Sequence, residues 1–208
     1  MAAIDQNDPL DVLIKTLSRL PGLGPRSARR AALHLLKKRE QLLMPLAQQM
    51  MTAAEQIQTC HICGNLSLHD PCLICTDPKR DHHVICVVEN VDDIWAMERT
   101  AAFSGVYHIL GGTLSALDGV RPDDLRIPQL LRRLNDTTQP VHEIILALST
   151  TVDGQSTAYY IADQCAHNMN RYPDLKITRL AQGIPIGGEL DYLDEGTLTL
   201  ALQSRSGL

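Results

Sequence analysis

Leu10, Leu13, Ile14, Leu17 and Leu20 recur at helical spacing and predict a first helix. Pro21 and Gly22 end it. After Gly24, Pro25 suits the first turn of a second helix, whose apolar stripe is Ala28, Ala31, Ala32 and Leu35. A third stripe, Leu43, Leu46, Ala47, Met50, Ala54 and Ile57, predicts a helix that covers the first two with its apolar side in the core.

From residue 84 the rhythm changes to short apolar runs alternating with helical patterns. "VICVVEN" (84–90) reads as a buried strand, residues 91–102 as a helix, and "GVYHIL" as a strand ending at Gly111 and Gly112. Residues 122–135 read as a helix opened by Pro122 with acids at 123 and 124. "EIILALS" is the next strand. A helix over 156–171 follows, with Ala158, Ile161, Ala162, Cys165 and Met169 on one side, and then a strand at "KITRLA". Such alternation implies a mostly parallel sheet with helices on its faces. The expected fold class is α+β multidomain. A helical hairpin domain spans 1–57, a four-cysteine zinc finger 58–80, an α/β domain 81–177, and a turn-rich or β segment 178–208.

Charge sharpens this division. The 208-residue chain carries a net −5, yet residues 1–59 hold eight Lys/Arg against five acids, a net +3 that leaves −8 on the remainder. A basic head on an acidic body suggests a polyanion at one end and other partners elsewhere. The apolar fraction of 44% argues against disorder. No run approaches 18 apolar residues, and "MAAIDQNDPL" has no basic region followed by an apolar one, so neither a membrane span nor a secretory signal is expected. The expected compartment is the cytoplasm, where six cysteines read as ligands, catalysts or core residues before disulfides.

The basic head concentrates in "LPGLGPRSARR", residues 20–30. N–H groups at the start of the second helix carry partial positive charge, and Gly22 and Gly24 let an anion approach the backbone. Arg26, Arg30 and Lys37 lie on the side opposite the alanine stripe and add charge-assisted contacts. Such a site grips phosphate without reading bases. Aromatic content of 3% argues against base-stacking platforms. The plain alternative is an ordinary αα-hairpin with a solvated basic face. The match resembles the helix-hairpin-helix motif of DNA repair proteins.

"CHICGNLSLHDPCLIC" places Cys60 and Cys63 in one Cys-x-x-Cys pair and Cys72 and Cys75 in the other. Each pair brings two sulfurs to one ion, and four thiolates complete a tetrahedral Zn²⁺ site with no open position, a structural role. His61 and His69 are then surplus, surface or loop residues. Cys86 and Cys165 sit in a strand and a helix and read as buried, inert thiols.

Glu89 ends the first strand of the α/β domain, and Asp153 lies just past the third in "STTVDGQST". A glutamate on one strand end and acids on another resemble the Toprim fold of topoisomerases and primases, where an Asp-x-Asp pair holds Mg²⁺. Here Gln155 stands in place of the second acid. It offers an oxygen but no charge, which disfavours Mg²⁺-dependent nuclease or primase-like chemistry. In the bland reading, both acids are strand-end polar residues lining a cleft.

Hairpin, zinc loop and Toprim-like body, in that order and at this length, resemble the RecR family of bacterial recombination mediators. "LGGTLSALDGVRPDDL" and "RLAQGIPIGGELDYLDEGTL" agree with it, the latter as a C-terminal Walker-B-like segment. No phosphate-binding Gly-x-x-x-x-Gly-Lys-Ser/Thr loop occurs, so ATP hydrolysis by this chain alone is not expected. The resemblance implies a non-enzymatic, clamp-like DNA adaptor at the nucleoid, assembled as a tetrameric ring. It would work with RecO, and with RecF, to load RecA on single strands in recombinational repair. By the same resemblance, Arg26 and Arg30 take the DNA-contacting positions, and Glu89 and Asp153 the positions tied to the RecO contact.

Overall fold

The computed structural model describes residues 8–167, 175–181 and 183–205. They form two compact units, Met1–Ile57 and Gln58–Leu208.

In the first unit, α1 (Pro9–Leu17) is capped by the Asp8 carboxylate, which accepts from Leu10 N–H at 2.9 Å. Its Leu10, Leu13, Ile14 and Leu17 are half-buried against α2 (Pro25–Lys37), where Ala28, Ala32 and Leu35 are buried. Leu20 lies past the end of α1 and is 48% exposed. After α2 a wider turn of π-helix, Arg39–Leu43, leads into α3 (Met44–Gln56). The expected core role of the third stripe is wrong for the single chain. No residue of α3 is buried, and Leu46, Met50 and Ile57 are 41%, 61% and 41% exposed. A helix buries its stripe only where another surface meets it, and among the described residues of this unit none does.

The second unit opens with a two-residue ribbon, β1 (Gln58–Thr59) against β2 (Leu66–Ser67), and the short α4 (Leu73–Thr76). The main sheet has the order β4-β3-β5-β6, from β3 (Asp81–Val88), β4 (Gly105–Ile109), β5 (Glu143–Leu146) and β6 (Lys176–Arg179). Every pairing in it is parallel. Alternation sorts the strand residues onto two faces. Ile85, Val87, Val106, Leu110, Ile144 and Leu146 pack on α6 (Ile127–Leu134) and α7 (Val152–His167). Cys86, Val88, Tyr107 and Ile109 pack on α5 (Val91–Thr100). Burial on both faces explains why "VICVV" is a continuous apolar run. Cys86 and Cys165 are both buried, and burial pushes their thiols up to about 12 and about 11.

Several boundaries differ from the sequence expectation. β3 begins three residues earlier, at Asp81. The expected helix over 122–135 is a 3₁₀ turn at Pro122–Asp124, then an interruption at Leu125, then α6. There Leu125 is buried and the Arg126 N–H turns to the Leu110 carbonyl at 2.9 Å, a tertiary bond that outcompetes helix continuation. α7 starts at Val152, so Asp153 sits in its first turn and not in a loop. The expected Met169 at its far end lies outside the described residues. Between 183 and 205 no strand occurs among the described residues; a 3₁₀ turn (Leu190–Tyr192) and α8 (Glu195–Gln203) stand there, the helix capped by Asp194. The β element expected for this segment is therefore corrected to helix.

His108, on β4, is fully buried and its Nε2 lies 2.9 Å from the Arg126 carbonyl. Burial first, and the nearby Arg133 and Arg126 charges behind it, pull its imidazole down to about 3. A base whose folded value is depressed takes up its proton in the unfolded chain first, so stability falls as pH drops below the ordinary histidine value of 6.5. The His108 contribution at pH 5 is about 2 kcal/mol lost. We expect the His108 ring resonances in an NMR titration to stay fixed between pH 8 and about pH 4; movement of His108 near pH 6.5 contradicts this.

Candidate nucleic-acid interface and metal centre

The hairpin between α1 and α2 is built by glycine. Gly22 has φ +77°, a left-handed turn conformation that side chains disfavour. A Cβ at Gly22 or Gly24 would meet nothing within 4 Å, so the backbone is open to solvent on this side. Gly24 is the N-cap of α2 and supplies no side-chain cap, and Pro25 follows. The first-turn N–H groups are left to an external acceptor. Arg26 and Arg30 stand exposed on the first two turns. Lys37 shares their face but closes the helix, about 16 Å further along the axis. Arg29 is exposed beside them. None of these cations is paired with a carboxylate among the described residues. An open, uncapped helix start with unpaired arginines has the chemistry that an anion would meet.

The four cysteines converge. The Sγ atoms of Cys60, Cys63, Cys72 and Cys75 all lie within 4.8 Å of one another. Cys60 and Cys75 sulfurs are 4.0 Å apart, and Cys63 and Cys72 sulfurs 3.6 Å apart. Sulfurs about 2.3 Å from a tetrahedral ion stand about 3.8 Å from each other, so the set fits a Zn²⁺-sized dication. Backbone N–H groups of Asn65 and Cys72 point at the Cys63 and Cys60 sulfurs, each at 3.4 Å, which favours thiolates. Within the cluster the sulfurs shift one another in opposite directions: the Cys72 sulfur first, with burial behind it, pushes the Cys63 thiol up to about 12, the Cys63 and Cys72 sulfurs push Cys75 up as well, and hydrogen bonds from Cys63 and Cys75 hold Cys72 well below the ordinary thiol value. His61 and His69 are not in the cluster. His61 is exposed and tied to Asp70, Nδ1 to Oδ1 at 2.7 Å, linking the two knuckles.

This loop is seated on the sheet. Ile109 N–H donates to the Cys63 carbonyl at 2.7 Å, and Arg126 Nη2 donates to the His61 carbonyl at 3.1 Å. Where the loop returns to β3, Arg80 hydrogen-bonds both Glu98 oxygens and the Gly105 carbonyl, and Tyr107 donates to Glu98 at 2.7 Å. Burial alone would raise Glu98, but the Arg80 and Tyr107 bonds hold its carboxyl below the ordinary value. Arg126 and Arg133 escaped the sequence reading. Both fall in "LRIPQLLRRL", which reads as a solvated helix, and only the fold carries them back to cysteines some sixty residues earlier.

Glu89 and Asp153 occupy one corner at the carboxyl ends of β3 and β5, but the glutamate is already engaged. Its Oε1 accepts Ser149 N–H at 2.5 Å, ordering the loop before α7. Gly154 lies so close that a Cβ there would come within 2.3 Å of the Ser149 carbonyl oxygen. Gln155 turns its amide Nε2 to the Thr150 carbonyl at 2.9 Å. Among the described residues, the four cysteines are the one group of three or more His, Cys, Asp or Glu with ligand atoms in mutual reach. A cleft of about 700 Å³ opens beside this corner, lined by Leu146, Leu148, Ala158, Tyr159, Ile177 and Leu180.

Three family models match the chain, on either side of the cysteine loop. Residues 10–54 match the RecR helix-hairpin-helix model, 83–181 the Toprim domain and 183–206 the RecR C-terminal model. Recombination protein RecR of Rhodopseudomonas palustris (strain BisB18) is 55% identical over 206 residues, 99% of each chain. Recombination protein RecR of Mesorhizobium japonicum is 57% identical over 197 residues, 95% of this chain and 94% of the relative. That of Bradyrhizobium sp. (strain BTAi1) is 57% identical over 197 residues, 95% and 96%. With its helical hairpin, four-cysteine cluster and parallel Toprim sheet matched from end to end, this chain belongs to the RecR family of recombination proteins.

Proposed function

We propose that this chain is a non-catalytic DNA-binding mediator of recombinational repair, acting at the nucleoid in the cytoplasm. The observation that carries the reading is the hairpin: an uncapped helix start, an open glycine turn and unpaired Arg26 and Arg30. Gly22, Gly24, Arg26 and Arg30 meet the sugar-phosphate backbone of single- or double-stranded DNA, and Lys37 extends the contact along α2. Two phosphate contacts change affinity only about tenfold between 50 and 200 mM salt, so one hairpin binds weakly. Several copies facing the same DNA would multiply that into useful avidity.

The exposed stripe of α3, Leu46 and Met50, with Ile57 at its end, supports such an assembly, since contiguous exposed apolar patches mark interaction surfaces. In this reading a second copy covers it, and a tetrameric ring results. Zn²⁺ is the ion of the cysteine cluster, one per chain and structural, because four thiolates leave no open position. Glu89 and Asp153 form the contact corner for RecO, with RecF as a further partner, and the assembly helps load RecA on single strands. A Mg²⁺-dependent Toprim enzyme is the rival reading, suggested by the Toprim match. Glu89 engaged by Ser149 and Gln155 in the second acid's place speak against it.

Four experiments test these statements. Arg26→Ala with Arg30→Ala leaves folding intact, weakens oligonucleotide binding, and flattens the salt dependence by about 2 in log-log slope per engaged hairpin; binding unchanged at low salt refutes the clamp. Met50→Asp lowers the solution mass below that of the unsubstituted assembly; an unchanged mass shows that α3 is not the joint. Elemental analysis finds one zinc per chain, and Cys60→Ser yields unfolded or insoluble protein; a soluble, fully active Cys60→Ser contradicts the structural role. Mg²⁺-dependent cleavage or synthesis abolished by Glu89→Ala would establish the enzyme instead.

A further inference from the structure

A dication held by four thiolates leaves a centre with a net charge of about −2. Water does not neutralise it, because the four cysteines are exposed by 8% at most. A buried charge of this size is costly unless opposite charge stands close. The basic groups nearest in sequence do not supply it: Arg80 is paired with Glu98 and Asp77, and Lys79 is exposed.

The start and the last turn of α6 bring two other cations to the loop. Arg126 lies across the first knuckle. Its Nη2 bonds the His61 carbonyl at 3.1 Å, and its Nε sits 2.7 Å from where a Cβ on Gly64 would be. Gly64 is thus a glycine both for its φ of +86° and for the guanidinium lying over it. The Nε–H is buried with no acceptor among the described residues. Arg133 is anchored on β4, its Nη1 donating to the Tyr107 carbonyl at 2.7 Å, two residues before Ile109 takes the Cys63 carbonyl. Among the described residues neither arginine is within 4.0 Å of a carboxylate. Burial pulls Arg133 below its ordinary value, and the charges of all four cysteines, Cys75 foremost, act against that pull. His108, whose Nε2 reaches the Arg126 carbonyl, stays neutral, so the positive count is two.

We propose that Arg126 and Arg133 are the counter-charges of the four-thiolate centre and set how tightly it keeps its ion. The proposal rests on the reading of the cysteine cluster as a metal site. It makes both arginines positioning residues. They hold no ligand bond, yet they balance the centre and fasten it to α6 and β4.

The test times zinc transfer from the full-length protein to a chromogenic chelator, after counting zinc in the unsubstituted chain. Arg133→Met and Arg126→Met are each expected to weaken retention by about 10- to 100-fold. Arg133→Lys keeps the charge and recovers most of that loss. Unsubstituted protein without zinc would sink the metal reading itself. Zinc-loaded protein whose methionine variants release the ion as slowly as it does would overturn the counter-charge role. So would Arg133→Lys releasing as fast as Arg133→Met, since packing alone would then explain both. Should Arg133→Met not fold, the half-exposed Arg126 carries the same Met-against-Lys comparison and decides it.

Discussion

The larger unit depends on where Cys63 stands. Its sulfur belongs to the cysteine cluster, and its carbonyl takes the Ile109 N–H at the end of β4. One residue therefore joins a loop with little apolar content to a sheet buried on both faces. The loop has too little apolar content to hold itself by burial alone, and it takes the last N–H of β4, an edge strand of the sheet. The Arg80–Glu98–Tyr107 network fastens the other end of the loop to α5 and β4. Loop and sheet are thus tied together at both ends of the loop, although the sequence lays them out as separate modules.

What was legible follows from how local each signal is. The glycine turn at 22–24, the paired Cys-x-x-Cys spacing and the two-faced run at 84–88 are written in a few adjacent residues, and each forms the expected element. The third stripe was legible as a helix but not as exposed, since periodicity says which side is apolar and not what covers it. The interruption at Leu125 and the early start of α7 depend on tertiary bonds, from Arg126 N–H to Leu110 and from Ser149 N–H to Glu89. Arg126 and Arg133 were illegible for the same reason: a cation in a helical pattern reads as solvated until the fold places an anion beside it.

The Toprim corner shows a frame retained with altered content. The glutamate on the first strand end is present, but its oxygen orders the loop that opens α7. Gly154 allows that loop to press on the helix start, and Gln155 closes it with a backbone bond. A carboxylate committed to shaping backbone is poorly placed to shuttle protons. The same commitment orders the corner beside a largely apolar cleft.

The seating of the cysteine loop on β4 has an oxidative consequence. Thiolates that bind a metal are also the groups that peroxides attack, and their oxidation ejects the ion. Once released, the loop no longer takes the Ile109 N–H at the end of β4, and an unpaired group on an edge strand invites pairing with another chain. Oxidant stress would thus do more than spoil the four-sulfur cluster: the damaged molecules would tend to stick to one another, sheet edge to sheet edge.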